Sequence, residues 1–458
     1  MISLAFHGAA QTVTGSKYLV RTGPESLLID CGIFQGTKEL RQQNWDKPRF
    51  DAAAIPRILL THAHTDHTAF LPRLYRFGFR GPILCSPPTA RLTEILLLDS
   101  AHLQEEDAHY LNKVGATRHK PALPLYTVED AQAVIRQLRP VAIGEEITVS
   151  AQMKFTLRPV AHILGACSVL LRVKDATTER TIYFSGDVGR YSMPLLPDPL
   201  PPLPCNYLVV ESTYGDRLHE ESHPAEVLTG LVRRIVASGG VLLIPAFAVG
   251  RAQELVYILH TLQDRGDIPR LPIHVDSPMA ENATEIFSEF PALHRIEVDR
   301  AGDAMHADNI TYHRTRESSQ AINNMAGPRV IISASGMLTG GRILHHLIHR
   351  MGHTENIIAL AGYQAVGTRG RDLIDGKRQL RIHGAEHEVR AQVVDIGGLS
   401  GHADYRELMK WLAGVTAPPK KTFVTHGEPG PAAAMVNRLA QERGFAAVAP
   451  RLGEEFEL

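Results

Sequence analysis

The segment ILLTHAHTDH, residues 58–67, carries the strongest signal in the sequence. An apolar run leads directly into His62, His64, Asp66 and His67. In an extended chain the side chains at i and i+2 share a face, so His62 and His64 can bind one ion. The turn that must follow brings Asp66 and His67 toward a second ion. Imidazoles and a carboxylate without thiolates suit a catalytic zinc site that keeps a water. The alternative, a loop of structural histidines, is disfavoured because such clusters are rarely structural.

Two ions need more ligands than this segment supplies, and three further residues stand where predicted strands end. His162 follows FTLRPVA, Asp187 follows TIYFSG and His426 follows KTFVT. Any one of them alone is more often a structural or surface residue. Together with the 58–67 segment they predict a dinuclear site. Its ligands would be His62, His64 and His162 for one ion and Asp66, His67 and His426 for the other, with Asp187 as the bridge.

Composition narrows the class of protein. The 458 residues suggest two or three domains, and 44% hydrophobic with 21% charged residues is typical of a globular protein. A net charge of -1 excludes a wholly basic nucleic-acid coat or an acidic tail protein, although it permits a local basic groove. The 23 histidines favour metal chemistry. Four cysteines without CxxC, and no signal peptide or apolar span of ~18 residues, predict a soluble cytoplasmic protein.

The chain divides into stretches of different rhythm. The first 210 residues hold short strand signals and two helical stretches, and a proline-dense segment, 194–204, predicts a stiff surface connection. Beyond it, strand, Gly-containing turn and helix alternate, which predicts a parallel sheet flanked by helices. The predicted strands are 2–6, 17–21, 26–30, 57–61, 155–160, 168–173, 181–185, 207–211 and 421–425. The predicted helices at the two ends of the chain are 88–112, 128–138, 405–412 and 432–443.

Several motifs together resemble a known family. THAHTDH with a later His, a later SGD and an upstream LLIDCG resembles the metallo-β-lactamase fold. The HxHxDH motif is shared with thiol-ester hydrolases, lactamases and flavoproteins, but GAAQTVTGSKYLV, ESTYGDR, GLSGHAD and VTHGE narrow the resemblance to the β-CASP branch, RNA-processing nucleases related to the cleavage-and-polyadenylation endonuclease and to RNase J. The resemblance implies an α/β protein: an αββα sandwich (1–210 and 396–458) interrupted by an inserted Rossmann-like parallel α/β domain (211–395).

The resemblance also implies roles for residues outside the ligand set. His402 would protonate the leaving oxygen and Glu211 would orient it, since an imidazole beside a carboxylate stays partly protonated near neutral pH. Asp66 counts among the catalytic residues as well. Asp30 would hydrogen-bond a ligand imidazole from behind, or cap the turn before Gly32. Asp404 would support the His402 network, or cap the helix that follows it.

Two Gly-rich turns, 333–342 and 361–371, are candidates for binding phosphate. The first is predicted to open a helix, whose free N–H groups favour an anion, although such turns are often only tight turns. The candidate residues are Ser335, Gly336, Arg342, Gln364, Thr368 and Arg369. Residues 325–394 hold nine Lys or Arg against five acids, an excess of +4 that either lines a groove or solvates helices. No GxxxxGK[ST] occurs, so no nucleotide cofactor is expected.

The metal-binding motif together with the resemblance predicts a zinc-dependent ribonuclease, with Mn²⁺ or Fe as alternative metals. A hydroxide activated by two ions would attack an RNA phosphodiester and His402 would act as general acid. RNA is the expected partner and a membrane is not. The alternatives are a nuclease of the same fold that acts on DNA or small phosphodiesters, and an RNA-binding scaffold without turnover. Endonuclease and 5′-exonuclease action, and the oligomeric state, stay open.

Overall fold

The structure is a computed structural model that describes residues 1–115, 119–219, 223–296 and 304–458. In this part of the chain two units form, and the first is interrupted by the second. Unit 1 comprises Met1–Ser192, Asp198–Leu218 and His402–Leu458, and unit 2 comprises Met193–Pro197 and His219–Gly401. No described helix combines the length and apolar character that crossing a membrane requires.

Unit 1 contains two seven-stranded sheets. The first sheet has the order Glu455–Glu457, Ile2–Phe6, Tyr18–Thr22, Glu25–Ile29, Ile58–Leu59, Ile83–Cys85 and Leu138–Pro140. The second has the order Ala447–Val448, Lys421–Thr425, Tyr207–Glu211, Glu179–Phe184, Cys167–Lys174, Met153–Pro159 and Glu146–Thr148. The helices of this unit are Lys38–Gln42, Thr65–Thr68, Leu71–Arg76, Pro87–Val114, Val128–Ile135, Tyr405–Leu412 and Pro429–Arg443.

Alternating side chains explain why the two sheets stack. Along Tyr18–Thr22, Val20 points into an apolar core shared with Phe155 and Phe184 of the second sheet. Leu19 points the other way, into a core shared with Leu74 and other helical residues. A strand buried on both faces in this way sits between a sheet and a helix layer. The predicted αββα sandwich is confirmed by this arrangement.

Parallel strand pairs bring the chemistry-bearing residues to common sheet edges. Glu25–Ile29 pairs in parallel with Ile58–Leu59, so Asp30 and the HxHxDH segment leave the first sheet at the same edge. In the second sheet Tyr207–Glu211 pairs in parallel with Lys421–Thr425. Glu211 lies opposite Thr425, so Glu211 and His426 emerge side by side. The carboxyl ends of parallel strands are where side chains from remote segments can converge.

Unit 2 contains the predicted parallel sheet with flanking helices. Its six strands have the order Ile310–Tyr312, Ile273–Asp276, Arg329–Ser333, Val241–Pro245, Ile357–Leu360 and Gln392–Asp395, and all their pairings are parallel. Its helices include Pro224–Ser238, Arg251–Asp264, Pro278–Glu289, Arg316–Ala321, Ile343–Arg350 and Arg369–Ile374. A separate antiparallel pair joins Gln379–Ile382 and Ala385–Glu388.

Several local predictions were wrong. The predicted strand 57–61 is paired only at Ile58–Leu59, because the chain turns away to form the histidine loop. The predicted helix 128–138 ends at Ile135, since Leu138–Pro140 joins the first sheet as a strand. The 194–204 segment is not a simple surface connection, because Leu195 and Leu196 are buried. Five short strands of unit 1 were also missed: Ile83–Cys85, Leu138–Pro140, Glu146–Thr148, Ala447–Val448 and Glu455–Glu457.

Candidate metal centre

The residues predicted as metal ligands lie together at one edge of unit 1. His62 and His64 follow the strand Ile58–Leu59, and Asp66 and His67 belong to the single helical turn Thr65–Thr68. His426 follows the strand Lys421–Thr425 with a left-handed backbone, φ +48. Non-glycine residues rarely adopt this backbone conformation, and those that do are often found at functional sites. The local chain is therefore bent where it presents its imidazole.

One group of side chains gathers around His64. The distance from His64 Nδ1 to His62 Nε2 is 3.2 Å and to His162 Nε2 is 3.0 Å. The Oδ2 atom of Asp187 lies 3.4 Å from His62 Nε2 and 3.6 Å from His162 Nε2. All four donor atoms lie within 4.8 Å of one another. Ligands at about 2.1 Å from a tetrahedral zinc stand roughly 3.4 Å apart, so this spacing suits a single ion.

A second group of side chains gathers around His426. The Nε2 atom of His426 lies 3.2 Å from His67 Nε2 and 3.3 Å from Asp66 Oδ2. The other oxygen of Asp187, Oδ1, lies 3.4 Å from His67 Nε2 and 3.6 Å from His426 Nε2. The carboxylate of Asp187 thus turns one oxygen to each group. This is the geometry that a bridging carboxylate requires.

Hydrogen bonds behind the rings decide which nitrogens face the centre. His67 Nδ1 lies 2.8 Å from Asp30 Oδ2, which can only accept, so the proton is on Nδ1. The Thr61 hydroxyl donates to the same oxygen over 2.8 Å, which leaves its own oxygen to accept from His62 Nδ1 at 3.1 Å. In the neutral form of both rings, Nε2 is then free of a proton. Asp30 thereby orients two rings at once.

The donor set fits divalent cations. With its proton on Nδ1, each of His67 and His426 presents a lone pair on Nε2, and these two atoms are 3.2 Å apart. Such lone pairs repel unless a proton or a metal ion lies between them. Burial lowers the pKa of His67, but the charges of Asp187 and Asp30 raise it well above its usual value, so a proton holds this place until a metal ion displaces it. Asp187 Oδ1 is buried and accepts no hydrogen bond from the described residues, which is rare for a carboxylate oxygen. Histidine and carboxylate ligands without cysteine are those expected of a catalytic zinc site.

The ionisation of the ligands favours metal binding. Burial lowers the pKa of His64 to about 4, and that of His62 falls well below its usual value for the same reason, so both rings are neutral. Burial would raise the pKa of Asp187, but His426 and His67 hold it well below its usual range. Burial likewise opposes ionisation of Asp66, but the neighbouring imidazoles of His426 and His67 lower its pKa to about 2. Both carboxylates are therefore charged at neutral pH.

His402 and Glu211 form a pair beside the two groups. His402 Nδ1 lies 3.1 Å from Glu211 Oε2, and Glu211 Oε1 accepts a 2.5 Å hydrogen bond from the backbone N–H of Val188. His402 Nε2 is 4.0 Å from Asp187 Oδ2. Burial lowers the pKa of His402, but the Glu211 carboxylate outweighs it and raises this pKa to about 9. The ring therefore carries a proton at neutral pH, with Nε2 toward the centre.

Asp404 has the second of its two predicted roles. It is the N-cap of the helix Tyr405–Leu412, and its side chain accepts a 2.9 Å hydrogen bond from the backbone N–H of Glu407. The Glu407 carboxylate in turn accepts a hydrogen bond from the backbone N–H of Asp404, which completes a capping box. This cap holds the end of the segment that carries His402.

The first Gly-rich turn of unit 2 leads into a helix, as predicted. The helix Ile343–Arg350 begins directly after the turn 333–342, with Arg342 as its N-cap. The Arg342 guanidinium is already engaged: it donates to Asp276 Oδ1 at 2.8 Å and to the carbonyls of His313 and Arg314. Arg342 therefore ties two loops together.

The other predicted phosphate residues also have internal partners. Ser335 Oγ accepts from the backbone N–H groups of Thr339 and Gly340, and Gln364, 4% exposed, donates to the carbonyl of Gly336. Thr368 caps the helix Arg369–Ile374, and Arg369 donates to the carbonyls of Arg381 and Leu338. Arg371 pairs with Asp375 and Lys377 with Asp372, two of the five acids already counted in the excess of +4. Phosphate binding by these residues stays a prediction.

Sequence reasoning missed the hydroxyl groups around the ligands. Thr61 orients His62, and Thr213 Oγ1 lies 3.1 Å from both Nδ1 and the carbonyl oxygen of His426. Ser16 Oγ, fully buried, lies 3.3 Å from His67 Nε2. The signal for Thr61 was its position next to a ligand. No comparable signal marks Ser16 or Thr213, which come close only in the fold.

This fold and this cluster define a metal-dependent hydrolase of the metallo-β-lactamase class. Residues 25–226 match the model of the β-lactamase superfamily domain, residues 252–373 match the β-CASP domain, and residues 386–450 match the Zn-dependent metallo-hydrolase RNA specificity domain. The chain belongs to the β-CASP family of metallo-β-lactamase-fold nucleases, as its motifs predicted.

Individual relatives cover most of the chain. It is 35% identical over 453 residues to Ribonuclease TTHA0252 of Thermus thermophilus, covering 98% of each protein. It is 30% identical to the transcription termination factor FttA of Methanocaldococcus jannaschii, over 93% of this chain and 67% of that protein. It is 31% identical to FttA of Pyrococcus horikoshii, over 97% of this chain and 69% of that protein. A crystal structure of a protein of unknown function from Enterococcus faecalis shares the fold, with a TM-score of 0.56, 14% identity and full coverage of both chains.

Proposed function

We propose that the chain is a zinc-dependent ribonuclease that uses two cations and a histidine general acid. The observation that carries the proposal is the Asp187 carboxylate, which turns Oδ2 toward His62 and His162 and Oδ1 toward His67 and His426. RNA as the substrate is supported by the matched RNA specificity domain and by the similarity to a named ribonuclease.

The proposed ligands divide as the sequence predicted. His62, His64 and His162 would hold one ion, Asp66, His67 and His426 the other, and Asp187 both. When bound, such cations lower the pKa of water at the site and offset the charge of the scissile phosphate. Asp66 is 18% exposed at its side chain against 2% for Asp187, so it is the better placed of the two to orient an entering water.

His402 would supply the proton for the leaving group. The water gives up one proton to solvent as its oxygen bonds to phosphorus, the bond from phosphorus to the ribose oxygen breaks, and the proton on His402 Nε2 passes to that oxygen. His402 then regains a proton from solvent. Glu211 keeps the ring in position through Nδ1 and is itself held by the Val188 N–H. A buried carboxylate in this role stabilises the protonated imidazole before transfer, and its negative charge keeps that proton available at neutral pH.

The proposal also includes the limits of the domains and the cellular compartment. We assign residues 1–210 and 396–458 to the catalytic metallo-β-lactamase domain, with Asp30 behind the ligands, and residues 211–395 to the inserted β-CASP domain. The cytoplasm is the proposed compartment, because the four cysteines Cys31, Cys85, Cys167 and Cys205 are unpaired thiols. One relative is a ribonuclease by name and two are transcription termination factors, and RNA is made in that compartment in bacteria and archaea.

Cleavage of end-labelled RNA tests the proposal. Substrates with 5′-triphosphate, 5′-monophosphate and 5′-hydroxyl ends are compared with a matched DNA, before and after chelation. We expect RNA to be cut, the activity to disappear on chelation and to return with zinc. A preference for DNA would favour the alternative nuclease, and about two ions per chain with no hydrolysis of any RNA would indicate a scaffold.

The His402→Ala variant separates the acid from the metal site. We expect zinc content to stay at the wild-type value while cleavage falls by about 10²–10⁴-fold, the usual contribution of a general acid. Undiminished activity in this variant would remove His402 from the mechanism.

A further inference from the structure

Unit 1 holds a cavity of about 90 Å³, and the proposed reaction uses none of the side chains that line it. Its polar lining includes His7, Lys17, Lys47 and Arg49, and its apolar walls are Phe34, Phe50 and Phe70. The volume is several times the roughly 10–15 Å³ that one water needs. The cavity is therefore large enough for a small ligand in contact with polar groups.

His7 points to a missing partner. It follows the strand Ile2–Phe6, and its ring lies against Phe50 with the centroids 5.0 Å apart. Both ring nitrogens are buried, and neither makes a hydrogen bond to any described residue. Buried polar atoms almost always have a partner, either in the protein or in bound water or an ion. A neutral imidazole offers one N–H donor, and that donor is available inside this cavity.

Lys17 places a cation at the inner wall. Its side chain is buried, 4% exposed, and its ammonium donates to the carbonyls of Gly15 and Gly32. The ammonium lies 4.6 Å from the ring centre of Phe34 and 4.7 Å from that of Phe70. An ammonium has three N–H donors, so two carbonyls do not exhaust it. A buried cation with donor capacity to spare attracts an anion strongly, because little water screens it.

The mouth of the cavity adds further positive charge. Lys47 and Arg49 line it and are exposed, and Asp46 is the acid among the lining residues. Three cations against one acid leave an excess of +2 around the cavity. His7 lies in the same field: burial first, and then the charge of Arg21, lower its pKa to about 4. The imidazole is thus a neutral donor in a positive environment.

We infer that this cavity binds a tetrahedral oxyanion of the phosphate class, either inorganic phosphate or the terminal phosphate of a monoester. Its oxygens would accept from the His7 ring and from the Lys17 ammonium, while Lys47 and Arg49 balance its charge at the mouth. Charge-assisted bonds of this kind are the stronger type, and the aromatic walls exclude competing water. The inference concerns a site apart from the proposed metal ligands and does not depend on them.

The test measures phosphate binding to the full-length, zinc-loaded protein by calorimetry and ³¹P NMR. Inorganic phosphate, adenosine 5′-monophosphate and adenosine are the probes. We expect both phosphate compounds to bind and adenosine not to bind; tighter binding of the monophosphate would identify a monoester as the ligand. Absence of saturable binding up to about 10 mM would overturn the inference and leave water as the content of the cavity.

Two variants assign any binding to this cavity. His7→Leu keeps an apolar contact with Phe50 but removes the donor, and we expect it to weaken phosphate binding about tenfold with unchanged zinc content and RNA cleavage. The double variant Lys47→Gln with Arg49→Gln changes only exposed side chains and should weaken binding severalfold even where His7→Leu folds poorly. Binding that both variants retain, or that His162→Ala abolishes together with zinc, would place the phosphate at the metal centre and refute the inference.

Discussion

Thr213 and His426 hold each other through a single hydroxyl oxygen. Thr213 Oγ1 lies 3.1 Å from the carbonyl oxygen of His426 and 3.1 Å from its Nδ1. A carbonyl can only accept, so the hydroxyl proton goes there and the oxygen accepts from the Nδ1–H. This fixes the tautomer in which His426 Nε2 is bare and faces Asp66 and His67.

Thr213→Val therefore tests whether the tautomer matters. Valine keeps the shape but removes the acceptor, so the Nδ1–H loses its partner and the ring can rotate. We expect zinc affinity at one of two sites to fall by about 10–100-fold, the usual effect of losing such a partner. Equilibrium competition with a zinc chelator measures this, and Thr213→Ser, which keeps the hydroxyl, is the control. Equal affinity in the valine and serine variants would contradict the argument.

Asp187→Ala tests the bridge. The Asp187 side chain faces both groups of donors, so its removal should weaken the binding of both ions. His426→Ala should abolish the binding of one ion. We expect about two zinc ions per chain in the wild type, about one in His426→Ala and fewer than one in Asp187→Ala. Elemental analysis after dialysis against a weak chelator gives the counts. A chain that keeps two ions without Asp187 would show that the carboxylate does not bridge.

Glu211→Gln tests the electrostatic control of His402. A general acid must be protonated, so activity falls as pH rises through its pKa, which is about 9 here. Burial lowers this pKa and the Glu211 charge raises it, so the amide should move the alkaline limb of the pH profile to lower pH. The profile of kcat/KM measures the shift, and Glu39→Gln, which changes an exposed acid on the helix Lys38–Gln42, is the control. An alkaline limb that stays in place would exclude His402 as the titrating group.

The αββα fold could be predicted from the family resemblance, and the convergence of the ligands could be predicted from short sequence signals. Histidines at i and i+2 after an apolar strand, and lone acids or histidines at strand ends, depend only on strand periodicity and on parallel pairing. The partners of those ligands could not be predicted. Thr213 contacts His426 across more than two hundred residues of sequence, and the hydroxyl of a threonine gives no periodic signal. Ser3 pairs with Glu457, which adds the edge strand of the first sheet, and these two residues are also far apart in sequence.

The partners of Arg342 in the first Gly-rich turn could not be predicted for a related reason. The acid that engages Arg342 is Asp276, sixty-six residues earlier in the chain. Asp276 also accepts from His346 at 2.7 Å and from Ser319 at 2.6 Å. A carboxylate at the carboxyl end of a neighbouring strand thus engages one of the predicted phosphate-binding side chains, and phosphate binding at the turns stays a prediction.

Asp276→Ala should consequently destabilise unit 2. The change leaves Arg342, His346 and Ser319 without their shared acceptor, and we expect a loss of roughly 3 kcal/mol in the free energy of unfolding. Asp375→Ala, which breaks an exposed pair with Arg371, should cost less than about 1 kcal/mol. Urea denaturation followed by circular dichroism gives both values. Similar losses in the two variants would mean that the Asp276 cluster contributes no more than a surface ion pair.

The same carboxylate predicts a dependence of stability on pH. Burial raises the pKa of Asp276, but its bonds to His346, Ser319 and Arg342 outweigh burial and lower it below the unfolded value of about 3.9. The contribution of a group with a lowered folded pKa is complete above the unfolded value and is lost as pH falls through the folded one. The stability difference between wild type and Asp276→Ala should therefore be constant near neutral pH and shrink below about pH 4.

Gly32→Ala tests how closely the metal-binding loop is packed. Gly32 donates its N–H to Ser16, and a Cβ on it would lie 1.6 Å from the carbonyl oxygen of Asp66 and 2.5 Å from the amide nitrogen of His67. These are backbone atoms, so no side-chain rotation can relieve the overlap, and the helical turn that carries both proposed ligands must shift. We expect loss of zinc binding and a marked fall in the melting temperature.

Gly230→Ala is the matched control. Gly230 lies in the helix Pro224–Ser238, and a Cβ there meets nothing within 4 Å. Alanine is the better helix former by up to about 1 kcal/mol, so this variant should melt at the wild-type temperature or slightly above it. The two substitutions add the same methyl group, and the difference between their melting temperatures isolates the contact with Asp66. Wild-type zinc content in Gly32→Ala would mean that the loop tolerates displacement, and the backbone packing behind Asp66 would then have no part in holding the ion.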